Sequence, residues 1–245
     1  MNLPETKAIV TGGASGLGRA TAEGLLAAGA KVTVFDLSGA PPDGAHFHKV
    51  DVTEEADVAA GIDAAADAMG GLTTLVNCAG VARAEKVLGR DGTHTLNSFE
   101  RTVSINLIGS FNCLRLAAAR MADNPADALG QRGVIINTAS IAAFDGQKGQ
   151  TAYAASKAGI AGLSLPAARD LSRTGIRVMA IAPGIFRTPM LEGLGEEVMD
   201  TLAADVTFPK RLGDPAEFAA LARFIIECDY LNGETIRLDG ALRMP

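Results

Sequence analysis

Short runs of strand length, most with apolar centres, alternate along the chain with longer stretches in which apolar residues return every three or four positions. The runs at 7–11 (KAIVT), 31–35, 46–50, 73–76, 133–140, 177–181 and 235–238 are short enough for buried strands. Between them the spacing predicts helices over 19–28, 54–69, 97–121, from about 150 through the YAASK segment, and 215–227. Val58, Ile62 and Met69 share one face of the second of these, while Asp214 and Pro215 suit the N-cap and first position of the last. Pro166 falls inside the fourth helical pattern and is expected to kink or interrupt it. Strands that alternate with helices predict an α/β fold with a parallel sheet of about seven strands and helices on both faces.

The first strand runs into Gly12, Gly13, Ala14, Ser15, Gly16, Leu17 and Gly18 and then a helix. Such glycines permit a tight turn and let a pyrophosphate approach backbone amides at the helix N-terminus, where the dipole favours an anion. A second strand ends in Asp36 about 20 residues on, the register at which an acid binds the adenosine ribose hydroxyls. Its charge would repel a 2′-phosphate, and Leu37 beside it offers no cation, so the pattern predicts NAD rather than NADP. The fold class is therefore a single-domain, Rossmann-type doubly wound sheet spanning 1–245. Asp51 and Val52, after the third strand, are expected over the adenine edge. Asn77, Cys78, Ala79 and Gly80, after the fourth, are expected to border the cofactor, with Cys78 a small packing residue rather than a nucleophile.

Residues 138–157, TASIAAFDGQKGQTAYAASK, carry the candidate chemistry. Tyr153 and Lys157 lie one helical turn apart, so the ammonium can lie beside the phenol and is expected to move its pKa down toward the working range. Ser140, where a strand ends and a glycine-containing loop begins, has a hydroxyl suited to a substrate oxygen. Asn106 interrupts the apolar stretch SINLIGSF, and a buried amide there needs partners. It would make either a structural bond to a neighbouring strand or a water relay toward Lys157.

Two connecting segments exceed the needs of connection. Residues 83–95 are long and charged, and Arg83, Lys86 and Arg90 are candidates for substrate phosphates against the alternative of a solvated loop. Residues 185–212 are apolar but broken by prolines and glycines, which suits a substrate lid or ordinary helical packing. The small residues Ala154, Ala155, Ala158, Gly159, Ala161 and Gly162 occupy more than one face of their helix, so one face is expected to meet a partner subunit.

Composition narrows the function classes. A formal charge of −6 with dispersed basic residues gives no footprint for nucleic acid or an anionic membrane. Cys78, Cys113 and Cys228 are far apart and form no CxxC pair, which suggests reduced thiols. His46, His48 and His94 lack ligand-type partners at metal spacing, so no metal site is expected. A first strand starting by residue 7 leaves no room for a signal peptide, and no apolar run spans a bilayer, so a cytoplasmic location is expected, with the mitochondrial matrix as alternative.

Together, TGGASGLG, NCAG, the mid-helix Asn106, Ser140, YAASK and the PG turn followed by Thr188 resemble the short-chain dehydrogenase/reductase family over nearly the whole chain. The resemblance implies NAD-dependent interconversion of a secondary alcohol and a ketone, most specifically of 3-hydroxyacyl-CoA and 3-oxoacyl-CoA. It implies that Tyr153 takes the hydroxyl proton, that Lys157 tunes it and holds the nicotinamide ribose, that Ser140 binds the developing carbonyl, and that Asn106 positions a relay water. By the same match Ser15, Leu17, Asp36, Asp51, Val52, Cys78, Phe186 and Thr188 would touch NAD, and Gln147 would lie near the substrate. It also implies a homotetramer. Reduction of 3-oxoacyl groups on a carrier protein, oxidation of hydroxysteroids, and a non-enzymatic NAD-binding interaction protein are the alternatives.

Overall fold

In the computed structural model, which describes all residues except Asp91, Leu194 and Pro245, seven strands form one parallel sheet in the order β3-β2-β1-β4-β7-β8-β9. Asp91 and Leu194, within the charged segment and the expected lid, lie outside the described residues. The strands are β1 (Lys7–Thr11), β2 (Lys31–Asp36), β3 (His46–Lys49), β4 (Thr74–Asn77), β7 (Gly133–Thr138), β8 (Ile176–Pro183) and β9 (Thr235–Leu238).

Two-residue periodicity sends alternate side chains to opposite faces. Ile9, Leu75, Ile135 and Val178 are aligned across four strands and face a core shared with α2 (Glu55–Met69) and with α4 (Ser110–Ala122). Their neighbours Val10, Val76, Ile136 and Met179 face the other core, shared with α1 (Gly16–Ala27) and α8 (Pro215–Glu227). Both faces are thus covered, the condition under which a parallel sheet is stable. The strand order reverses between β1 and β4, so their carboxyl ends diverge and open the crevice in which such sheets bind ligands.

Departures from the sequence expectations have local causes. The single helix expected over 97–121 is α3 (Leu96–Val103), a π-helical turn (Ser104–Gly109) and α4 in one continuous run. Asn106 sits in the π-helical turn, where its carbonyl accepts from Ser110 Oγ at 2.8 Å. Pro166 does not interrupt α5 (Thr151–Asp170). It lies on the exposed face, as does Gly162 one turn earlier, whose carbonyl it leaves without the usual helical donor. The charged segment contains a small antiparallel hairpin, β5 (Leu88–Gly89) with β6 (Gly92–Thr93). The segment expected as a lid carries α6 (Pro189–Glu192) and α7 (Glu196–Asp205).

Candidate active site

The first helical bond of α1 runs from Arg19 N to Ser15 O, which leaves the amides of residues 16–18 as the unpaired donors of a helix start. Gly12 has φ of +64°, and a Cβ there would stand 2.8 Å from Ala79 Cα; one on Gly18 would stand 2.2 Å from the Gly12 carbonyl oxygen. These glycines let the β1 turn nest against both its own helix and the turn after β4. Thr11 Oγ1 fixes that second turn by accepting from Cys78 N and Ala79 N, each at 3.1 Å. Across the crevice Asp36 Oδ2 accepts from Ala14 N at 3.1 Å and Oδ1 from Leu37 N at 2.8 Å, so the carboxylate is held at the rim of the glycine turn.

The carboxyl ends of the strands open into a cavity of about 1060 Å³. It brings together Gly12, Ser15, Gly16, Leu17, Gly18, Asp36, Asp51, Val52 and Cys78 with Ser140, Gln147, Tyr153, Lys157, Phe186 and Thr188. Asn77 and Asn106 are not in its wall. The buried Asn77 amide donates to Asn137 Oδ1 at 2.9 Å and to Ser110 O at 3.1 Å, which ties β4 to β7 and to α4. Asn106, fully buried, accepts from Val81 N at 2.8 Å and donates to Val81 O and Ser156 Oγ, each at 3.0 Å. Its side chain therefore clamps the chain just past Gly80 to α5. These bonds run to a loop and a helix rather than to a neighbouring strand.

α5 begins next to the loop that carries Ser140, and its first turns bring Tyr153 and Lys157 beneath that serine. Ser140 Oγ accepts from Ala142 N at 3.1 Å, which orients the hydroxyl at the start of a short 3₁₀ turn, and it interacts with the Tyr153 phenol. Lys157 Nζ stands 5.8 Å from the centroid of the Tyr153 ring and donates to Thr138 O at 2.6 Å. Burial lowers the Lys157 pKa to about 8, partly opposed by the nearby Cys78 sulfur. The phenol departs from the sequence expectation: burial pushes its pKa up, and it is the Ser140 hydroxyl that pulls it back. The Lys157 ammonium gives one of its three protons to a carbonyl oxygen and lies beside the phenol ring. Burial also pushes the Cys78 thiol up to about 11, which keeps it protonated and fits a packing role.

Several wall residues carried no local signal: Gln150 at the start of α5, Ile185, Leu202 on α7, Arg101 and Met244. Only the chain's return to the crevice brings them there. Of the cations expected at substrate phosphates, Arg83, Lys86 and Arg90 are not in the wall, although Ala84 between the first two is. Among the described residues no group of His, Cys, Asp or Glu is placed to hold a metal, and no helix is long and apolar enough to cross a membrane.

A glycine turn at a helix start, an acid at the end of β2 and a Ser–Tyr–Lys set over one parallel sheet define a dinucleotide-type oxidoreductase. Residues 6–199 match the family model described as short chain dehydrogenase, and the chain belongs to that family of oxidoreductases. It is 53% identical to the 3-hydroxyacyl-CoA dehydrogenase type-2 of Homo sapiens, with 97% of this chain and 95% of that protein covered. It is 40% identical to the ipsdienol dehydrogenase of Ips pini, with 96% of each covered. The crystal structure of 3-hydroxyacyl-CoA dehydrogenase type-2 from Mycobacterium avium superposes with a TM-score of 0.94 at 44% identity, covering 99% of this chain and 98% of that one.

Proposed function

We propose that this enzyme interconverts 3-hydroxyacyl-CoA and 3-oxoacyl-CoA with NAD as its redox partner. The observation that carries the reading is that one cavity holds Ser140, Tyr153 and Lys157 near one end and the glycine turn with Asp36 at the other. That volume stands at the top of the range of about 300–1,000 Å³ usual for small-molecule and cofactor sites, which gives room for a dinucleotide. The relatives named for the acyl-CoA reaction support it.

The residues fit the cofactor. The unpaired amides of residues 16–18 would take its pyrophosphate at the positive end of α1, and Asp36 would accept from the adenosine ribose while repelling a 2′-phosphate. Asp51 and Val52 would border the adenine, Lys157 the nicotinamide ribose, and Phe186 and Thr188 the nicotinamide end. When bound, NAD supplies the hydride chemistry. The protein supplies position and a proton. With its pKa pushed up, Tyr153 rests protonated, so in ketone reduction its hydroxyl gives a proton to the substrate oxygen and in alcohol oxidation that oxygen returns one. Ser140 donates to the same oxygen; such a bond speeds the step insofar as it strengthens as charge develops there. Lys157, anchored on Thr138, holds a positive charge beneath the phenol and stabilises its anionic form. Asn106 keeps the chain past Gly80 in place against α5, and a water held near it would complete the relay to Lys157.

Residues 185–212, with Phe186, Thr188, Pro189, Leu191 and Leu202 in the cavity wall, act in this reading as the lid over the nicotinamide and the acyl chain. The exposed Ile108, Phe111 and Leu165, with the open surface at Gly162, suit burial against further copies in a homotetramer. Three free cysteines fit a reducing compartment, the cytoplasm or a mitochondrial matrix.

Initial rates of acetoacetyl-CoA reduction with NADH and NADPH, against the same acyl group on a thioester without the nucleotide, test the reading. A strong NADH preference that depends on the coenzyme A portion is expected. Equal turnover of the nucleotide-free thioester would favour a second reading, an apolar secondary alcohol held by Ile141, Ile185, Leu202 and Met244. Tyr153→Phe should lower turnover by about 10²–10⁴-fold with NADH binding retained. Activity that survives this change would remove Tyr153 from the mechanism.

A further inference from the structure

Arg237, on edge strand β9, holds two carboxylates, one from the loop that follows Ser140 and one from the C-terminal segment. Its Nη2 donates to Asp145 Oδ2 at 2.6 Å and its Nε to Asp239 Oδ2 at 2.7 Å. The same Nη2 donates to Leu242 O at 3.1 Å, and the guanidinium lies 5.3 Å from the centroid of the Phe144 ring. The Asp239 side chain is 8% exposed and that of Asp145 20%, so both charges are largely withdrawn from water. Asp145 follows Ser140 by five residues and precedes Gln147 by two. Asp239 opens the C-terminal segment, in which Leu242 packs with Ile141 and Val206 while Met244 reaches the cavity wall.

The link from Asp145 back to Ser140 is stiff. Asp145 N and Phe144 N both donate to Ile141 O at 2.9 Å, Ala143 N donates to Ser140 O at 3.0 Å, and Ser140 Oγ receives Ala142 N. A pull on the Asp145 carboxylate is therefore felt at the serine hydroxyl. The C-terminal segment is tied in turn to the far end of the expected lid, through Thr207 Oγ1 to Ala241 O at 3.1 Å and Phe208 N to Gly240 O at 3.1 Å.

We infer that Arg237 is a positioning residue of the substrate half of the site: by bridging Asp145 and Asp239 it sets the Ser140-bearing loop against the C-terminal wall. Without the guanidinium Asp145 is left with no cation beside the negative Asp239, which keeps only the more exposed Arg243 at 3.1 Å and the Ala241 amide, and the cheapest relief is for the loop to move off the wall. The adenosine end of the cofactor half is untouched, because neither carboxylate belongs to the glycine turn or to the Asp36 rim.

The effect on substrate rests on the acyl-CoA reading, whereas the effect on the loop does not. For Arg237→Met, hydrogen exchange should quicken over residues 141–147 and 240–244 and stay unchanged over 12–19. With acetoacetyl-CoA, kcat/KM should fall at least tenfold while KM for NADH changes less than twofold. The double variant Arg237→Gln with Asp145→Asn removes the repulsion and should recover part of that loss, and the single change Asp145→Asn, should Arg237→Met not fold, should quicken exchange in the same two segments. Unchanged exchange there, or equal losses toward NADH and substrate, overturns the inference. A wild-type enzyme silent on acetoacetyl-CoA would sink the acyl-CoA reading alone, and the exchange result would still decide the clamp.

Discussion

Lys157 donates from Nζ to the carbonyl oxygen of Thr138 at 2.6 Å, which anchors the buried ammonium at the last residue of β7. A cation this withdrawn from water keeps its proton less firmly than a surface lysine, and its pKa falls to about 8. The phenol above it moves the other way. Burial raises its pKa, because desolvation penalises the anion of a phenol as it penalises the cation of an amine.

These opposite shifts give the two reaction directions different pH profiles. Alcohol oxidation needs the phenolate, so its rate should rise with pH through neutrality. The Lys157 charge that supports the phenolate is complete below about 8 and lost above it, so the rise should flatten there. Ketone reduction leaves the phenol as an anion that the Lys157 charge supports, so it should be level below about 8 and decline above as that charge is lost. In Lys157→Met both profiles should lose the inflection near 8 and oxidation should fall by about 10²-fold or more. Profiles of kcat in both directions make the comparison, and an inflection that persists in Lys157→Met would assign it to another group.

Asp36 is expected to set cofactor choice. Hydrogen bonds to a charged group are worth about 1.5–3 kcal/mol, so Asp36→Ala should raise KM for NADH by about 10–100-fold. Removal of the negative charge should at the same time improve the use of NADPH. Leu37 is 56% exposed, which leaves room for Leu37→Arg to add a partner for a 2′-phosphate. Steady-state kinetics of the double variant with both cofactors should show NADPH preferred, and an unaltered NADH preference would place the discrimination elsewhere.

Asn106→Leu should cost stability. The amide satisfies both Val81 backbone groups and Ser156 Oγ in a fully buried position. A leucine leaves the two Val81 groups unpaired, at about 1–3 kcal/mol per group, while Ser156 Oγ keeps its bond to Tyr153 O at 2.7 Å. A thermal unfolding midpoint several degrees lower is expected, with turnover reduced even at temperatures where the variant remains folded. A midpoint within one degree of wild type would mean that water replaces the amide.

The alternation of short apolar runs with helical spacing, the glycine turn, Asp36 and the Tyr153–Lys157 interval are local patterns. They were sufficient for the sheet, its crevice and the gathering of Ser140, Tyr153 and Lys157 in one cavity, because strand periodicity, glycine conformation and one helical turn are properties of neighbouring residues. Asn106 was legible as a residue in need of partners, but not which ones, since Val81 and Ser156 lie 25 and 50 positions away. The charged segment offered three cations, yet none of them lines the cavity, because solvent and a short hairpin accommodate that charge. Nor did the Tyr153–Lys157 spacing reveal that Thr138 O takes the ammonium or that burial raises the phenol pKa. Desolvation depends on everything packed around a group. Arg237 in the sequence is one cation in an edge strand, and only parallel pairing of β9 with β8 carries it to Asp145, 92 positions earlier. Sequence thus determined which main elements form and which side chains come together in the crevice. The tertiary structure decided what each group is bonded to and how far it is removed from water, since contacts between distant segments follow from sheet order and packing rather than from local spacing.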